Sequence, residues 1–190
     1  MKRPWLIDLH RYYPDGGVPR VLPPEVKWIV TFRKAQKCKS QILLLWYKWR
    51  LHQMQKVLHI SVPIKTEIGE GLYIGHTGRV VISSLAVIGR NFNIAAGGTI
   101  GKENRGSREG APIIGDDVWV GTNAVVVGKI KIGKDVMIAP NAYVNFDVPD
   151  HSIVIGNPAK IIHRDNATEK YIENKVEFYK GDKYGLDMPN

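Results

Sequence analysis

Residues 114–144 read IGDDVWVGTNAVVVGKIKIGKDVMIAPNAYV, and an aliphatic side chain returns there at every sixth position: Ile114, Val120, Val126, Ile132, Ile138 and Val144. The position that follows is often Gly or Ala, as at Gly115, Gly121, Gly133 and Ala139. The fifth is small or aliphatic, as at Val118, Ala124, Ile130, Val136 and Ala142. Upstream the same series runs through Ile68, Ile74 and Val80, shifts by two to Ile82, and continues at Ile88, Ile94 and Ile100. An inward position every sixth residue fits neither an α-helix nor a strictly alternating strand. It fits short flat strands joined by tight corners, three to a triangular coil, with each aliphatic residue stacked on its counterpart one coil away. Such a stack is a continuous core in which each fully buried aliphatic residue contributes roughly 1.5–3 kcal/mol. The spacing predicts an all-β solenoid over residues 61–162.

Residues 101–113 (GKENRGSREGAPI) break the register with a polar, Gly-containing insertion, which must loop out from one edge of the prism as an arm. Residues 1–24 carry five prolines and two glycines and predict an irregular leader. From Glu25 to His59 there is neither Pro nor Gly, and one or two helices are expected there. Trp28, Ile29, Phe32 and Ala35 recur at helical spacing, as do Leu44, Leu45, Trp49, Leu51 and Leu58 more loosely. Residues 1–60 thus read as a leader and helical cap over the open end of the solenoid. The alternative for this segment is a basic, Trp-rich face resting on the anionic inner membrane surface. Residues 163–190 form a charged tail with a helical piece, ATEKYIENKVEFYKG.

At 190 residues the chain is about one domain long. Its 44% hydrophobic and 24% charged residues are ordinary globular values. No apolar run has the length of a signal h-region or of a membrane span, so a cytoplasmic protein is expected. The single cysteine, Cys38, has no partner for a disulfide or a zinc cluster and reads as structural. The net charge of +9 raises nucleic acid, but no zinc-finger spacing, aromatic RNA-binding strand or basic heptad carries such recognition. A basic balance equally suits a polyphosphorylated ligand.

One segment of the repeat, GLYIGHTGRVVI at 71–82, resembles the histidine-bearing hexad of serine acetyltransferases and of related O-acetyltransferases from capsule and exopolysaccharide gene clusters. The resemblance runs over residues 61–162 and includes the insertion and the closing GNPAKII at 156–162. The opening LIDLHRYY and the arm look closer to the short capsule-type members. The resemblance implies a left-handed parallel β-helix, a homotrimer and acetyl-CoA as donor, bound without metal along the coils where two subunits meet. It places His76 at the catalytic position. The chemistry suits one histidine: the thioester is already activated, and a neutral imidazole near pH 7 can take the proton of an alcohol.

For the donor, Gly121, Thr122, Ala139 and Pro140 are the small residues expected to let pantetheine lie against the backbone, and Lys134 and Lys160 are candidate phosphate contacts. Glu103, Asn104 and Arg105 on the arm are the acceptor candidates. Two positions depart from the serine enzymes: Gly75 and Ser61 stand where acids are found, and no histidine occurs among Glu109, Gly110 and Ala111. Because an unpaired buried ammonium is costly, a sugar hydroxyl of a surface polysaccharide or its precursor is the expected acceptor, with serine the alternative. Two rivals have less behind them. A zinc enzyme of this fold needs about three ligands, and residues 61–162 offer only His76 and His151. A non-catalytic trimeric scaffold would leave the His76 motif and the arm unused.

Overall fold

The computed structural model describes residues 4–178. Three helices precede the solenoid: α1 (Pro4–Tyr12), α2 (Pro24–Lys37) and α3 (Gln41–Leu58). The leader is therefore helical over Pro4–Tyr12 rather than irregular, because a proline in the first turn of a helix removes only an N–H that would be unpaired there anyway. α2 and α3 are divided at Cys38–Lys39–Ser40 without Pro or Gly; Ser40 caps α3 by accepting the Leu43 N–H. Trp28, Ile29, Phe32 and Ala35 of α2 are buried as their spacing predicts. On α3, Leu51 and Leu58 are buried and Leu44 packs against the core, whereas Leu45 and Trp49 point outward.

Fourteen strands, β1 (Ile60–Ser61) to β14 (Ser152–Ile155), wind as a left-handed parallel β-helix whose three faces are parallel sheets. The first face contains β1, β4 (Val80–Ile82), β7 (Thr99–Gly101), β10 (Val125–Val127) and β13 (Tyr143–Val144). The second contains β2 (Glu67–Ile68), β5 (Val87–Ile88), β8 (Ile113–Ile114) and β11 (Lys131–Ile132). The third contains β3 (Tyr73–Ile74), β6 (Asn93–Ile94), β9 (Val118–Val120), β12 (Val136–Ile138) and β14, closed by the antiparallel β15 (Lys160–His163). All thirteen hexad residues from Ile68 to Val144 are buried.

A solenoid's first coil has no coil above it, so its backbone groups need other partners. Side chains of α1 and α2 provide them. The Asp8 carboxylate accepts the N–H groups of Gly71 and Leu72, and Arg33 donates to the carbonyls of Ile68 and Gly69. Asp8 and Arg33 pair with each other at 2.7 Å, at 1% and 5% exposure. Arg11 donates to the Gly71 carbonyl, and Gln36 to those of Ile64 and Thr66.

The tail is not helical over its charged piece: residues 164–175 run as turns, followed by a 3-10 turn at Val176–Phe178, and 179–181 lie outside the described residues. It is strapped down by Asp135, which accepts from the Ala167 and Thr168 N–H groups and the Thr168 hydroxyl and faces His151 Nδ1 at 2.8 Å. Burial pushes the Asp135 carboxyl up, but the Thr168, His151 and Ala167 hydrogen bonds outweigh it and hold its pKa below the ordinary 3.8.

Two outcomes test this architecture. Asp8→Asn leaves Arg33 buried without a counter-ion and should cost about 3–5 kcal/mol in denaturant unfolding; a loss under about 1 kcal/mol would mean that the cap does not carry the end of the solenoid. A carboxyl whose folded pKa is depressed stabilises above its unfolded value and loses that contribution as pH falls through the folded one. Hydrogen exchange over 164–178 should therefore accelerate as pH is lowered below about 3.8, after correction for intrinsic rates. Asp135→Asn should remove that pH dependence.

Candidate active site

His76 lies on the corner that carries the chain from β3 on the third face to β4 on the first. The register explains the two-residue shift in the repeat. Ile74 pairs with Ile94 and Ile82 with Ile100, so eight residues separate Ile74 from Ile82 where six separate their partners. The excess bulges from the edge, and His76, Thr77 and Arg79 are exposed on it. Gly78 closes the bulge at φ 145°, where a Cβ would stand 3.0 Å from the Ala96 Cβ. Its N–H donates to Leu58, and the Val80 N–H to His59, so the end of α3 abuts the same corner.

The strand leading to His76 is held by a residue that the repeat pattern gave no reason to select. The Tyr12 hydroxyl donates to the Ile74 carbonyl at 2.9 Å and accepts the Ile74 N–H at 2.8 Å, two residues before His76. Its ring stacks on Tyr73 with centroids 4.3 Å apart, and Arg11 lies over the other aromatic partner, 5.6 Å from the Tyr73 centroid. Burial, only partly offset by the Ile74 hydrogen bond, raises the Tyr12 pKa well above 10.0, so the hydroxyl stays protonated and keeps both bonds. One phenol thus replaces a missing neighbouring strand. The signal that could have found it is the tyrosine pair in the opening HRYY, placed where the fold must be capped.

Below His76, successive corners of the same edge stack through backbone hydrogen bonds, Asn123 N–H to Ala96 and Asn141 N–H to Thr122. Gly121, Thr122, Ala139 and Pro140 therefore share the edge of His76, on later coils. Gly121 is required there by packing, since a Cβ would come 2.7 Å from the Pro140 nitrogen. Lys160 begins β15, paired with Ile155 at the far end of the third face, and Gly156 of that turn accepts from Tyr143 on this edge. Lys134 belongs elsewhere: it sits on the corner between the second and third faces, where its N–H donates to Asp150.

The arm does not meet His76 within one chain. It joins β7 on the first face to β8 on the second, so the whole first face separates the two. The arm is a small hairpin bridged between Glu103 and Gly110, with Asn104 and Arg105 exposed at its tip. Glu103 turns back toward Arg108, 3.8 Å away. His151, on the corner between the second and third faces, is engaged by Asp135, away from His76. Among the described residues no group of three or more His, Cys, Asp or Glu could hold a metal ion.

In this chain residues 111–145 match the family described as bacterial transferase hexapeptide (six repeats). The chain is similar to serine acetyltransferases. It is 33% identical over 140 residues to serine acetyltransferase 2 of Arabidopsis thaliana, covering 68% of this chain and 43% of that one. The serine acetyltransferase of Neisseria gonorrhoeae in complex with serine aligns at TM-score 0.69 and 26% identity, over 84% of this chain and 68% of its own. That of Brucella abortus in complex with coenzyme A aligns at TM-score 0.70 and 25% identity, over 84% and 66%. The chain spans about half the length of the curated relatives it matches. These likenesses overturn the expected kinship with capsule-type enzymes, and with it polysaccharide biosynthesis and a sugar acceptor.

Tyr12→Phe should destabilise the protein by about 1–3 kcal/mol, because both Ile74 backbone groups lose their partner in a buried place. The check is thermal unfolding together with exchange of the Ile74 amide, which should be faster in the variant.

Proposed function

We propose that this chain is an acetyl-CoA-dependent serine O-acetyltransferase that acts as a homotrimer, with His76 as general base. The observation that carries this reading is the placement of His76: exposed on the one expanded corner of its edge, at the head of a column of small corner residues, in a chain similar to serine acetyltransferases. Thr122, Ala139, Pro140 and the backbone of Gly121 would line the pantetheine path, and Lys160 at the far end of that edge would meet a phosphate. Lys134, on another corner, would reach the donor of this path only from elsewhere in the assembly.

The separation of His76 from the arm supports the trimer. A cyclic assembly sets the His76 edge of one subunit against the arm edge of the next, and a three-sided prism closes such a contact with threefold symmetry. Asn104 and Arg105 then belong to the acceptor site of the neighbouring subunit. The expectation of a sugar rested on Ser61 and Gly75, which stand where the serine enzymes have acids and cannot supply a counter-charge for the serine ammonium. With two subunits at the site, an arm carboxylate can supply it: Glu109 is exposed, while Glu103 is held by Arg108.

In the reaction, His76 takes the hydroxyl proton as the serine oxygen bonds to the thioester carbonyl carbon. The tetrahedral intermediate collapses with cleavage of the C–S bond, and the imidazolium returns the proton to the departing thiolate.

CoA release should be observed with acetyl-CoA and L-serine, and His76→Ala should lower turnover by about 10²–10⁴-fold while leaving the assembly folded. Near wild-type turnover in the folded variant would remove His76 from the mechanism, and no transfer to serine would remove the acceptor assignment. Light scattering should give three times the chain mass of 21.4 kDa.

A further inference from the structure

α3 buries one face and leaves an unusual one outside. Leu51 and Leu58 are buried and Leu44, Tyr47 and Met54 pack against the core, which accounts for the inward stripe. Opposite it lies a second apolar stripe at i, i+3, i+4 and i+7: Ile42, Leu45, Trp46 and Trp49, with 83%, 64%, 49% and 57% of their surfaces exposed. Four large apolar side chains at helical spacing, two of them Trp, form a contiguous patch of a kind that marks an interaction site.

The charges around the stripe decide what covers it. Lys48 and Arg50 flank Trp49, and at about 100° per residue they project to either side of it. Lys37 and Lys39 precede the helix and Lys56 is in its last turn. Between Val26 and Thr66 the sequence has no Asp or Glu at all. A second copy of this face would bring like charges together, and the stripe offers only on the order of a few hundred Å², short of the roughly 800 Å² per partner of a standard interface. A basic helix with an apolar, Trp-bearing face and cations at its flanks matches an anionic bilayer surface, where indole rings sit at headgroup level and the cations meet lipid phosphates. No helix among the described residues is long and apolar enough to cross a membrane.

We propose that the N-terminal half of α3 docks on an anionic membrane surface, Ile42, Leu45, Trp46 and Trp49 entering the interface and Lys48 and Arg50 bonding the headgroups. The polar C-terminal half of the same face, His52, Gln53 and Lys56, sets the limit of insertion. This inference is independent of the acceptor and of the acetyl transfer.

The test uses the full chain with extruded vesicles of phosphatidylcholine, with and without about 30% phosphatidylglycerol. Co-sedimentation should occur with the anionic vesicles, weaken with added salt, and be accompanied by a blue shift of Trp fluorescence. Lys48→Gln with Arg50→Gln should reduce partitioning roughly fivefold per charge removed, and Trp46→Gln with Trp49→Gln should reduce it at least tenfold, with thermal unfolding unchanged. Absence of binding to anionic vesicles at low salt would overturn the proposal, as would equal binding by the Trp variant. A solution mass that falls by half in the Trp variant would overturn it too, because a second copy would then be the occupant.

Discussion

A stack of parallel coils has to begin somewhere, and the buried pair of Asp8 and Arg33 is where this one begins. The uppermost strands present N–H and C=O groups with no coil above them, an exposed edge that proteins usually blunt or cover. Here the covering is done by side chains acting as surrogate backbone. A carboxylate takes two N–H groups, a guanidinium gives to two carbonyls, and Gln36 gives to two more. Neither ion would be tolerated at this depth alone, since an unpaired buried charge costs several kcal/mol. Pairing them allows α1 and α2 to lie on the open end with Trp28, Ile29 and Phe32 continuing the aliphatic column beneath.

That cap reaches the candidate site directly. Tyr12 extends it to Ile74, so the backbone that launches the His76 corner is held by the same helix that seats the Asp8 carboxylate. The end of α3 touches the corner from the other side through Leu58 and His59. His76 is therefore exposed without being unsupported: the corner is expanded, but both of its flanks are hydrogen-bonded to the helical cap. Disturbance of the cap should be felt at His76 before it is felt in the later coils.

The period of six was legible because the core imposes it residue by residue, and each hexad residue from Ile68 to Val144 is buried. The two-residue shift at Val80 and Ile82 was visible as a number, but its meaning needed the register, which assigns the excess to one corner. The cap was not legible. Asp8, Arg11 and Tyr12 act on residues some sixty positions away, within a stretch whose prolines pointed to an irregular chain, and no periodicity links them. Leu45 and Trp49 fall into one loose series with Leu44, Leu51 and Leu58 because apolar spacing cannot distinguish one stripe from two. The acceptor argument failed for a different reason: it weighed the two positions that match the acids of the serine enzymes, Ser61 and Gly75, and a charge placed elsewhere around the site leaves no mark at those positions.

Small residues in the corners are weak evidence of a ligand, because the stack itself demands them. Gly121 cannot carry a Cβ for reasons internal to the prism, whatever lies outside it. The breaks in the period are different, since the core gains nothing from them. Two that add chain occur beyond the cap: the two extra residues around His76, and the arm, which lengthens the interval between Thr99 and Val125 to 26 residues where the next coil, Val125 to Tyr143, uses 18. Both breaks enter or leave the first face, one at each edge. A core that repeats so strictly has no use for excess chain on two edges of the same face, whereas an assembly that joins those edges between neighbours does. The departures from the repeat, rather than the repeat itself, are what point from fold to function in this chain.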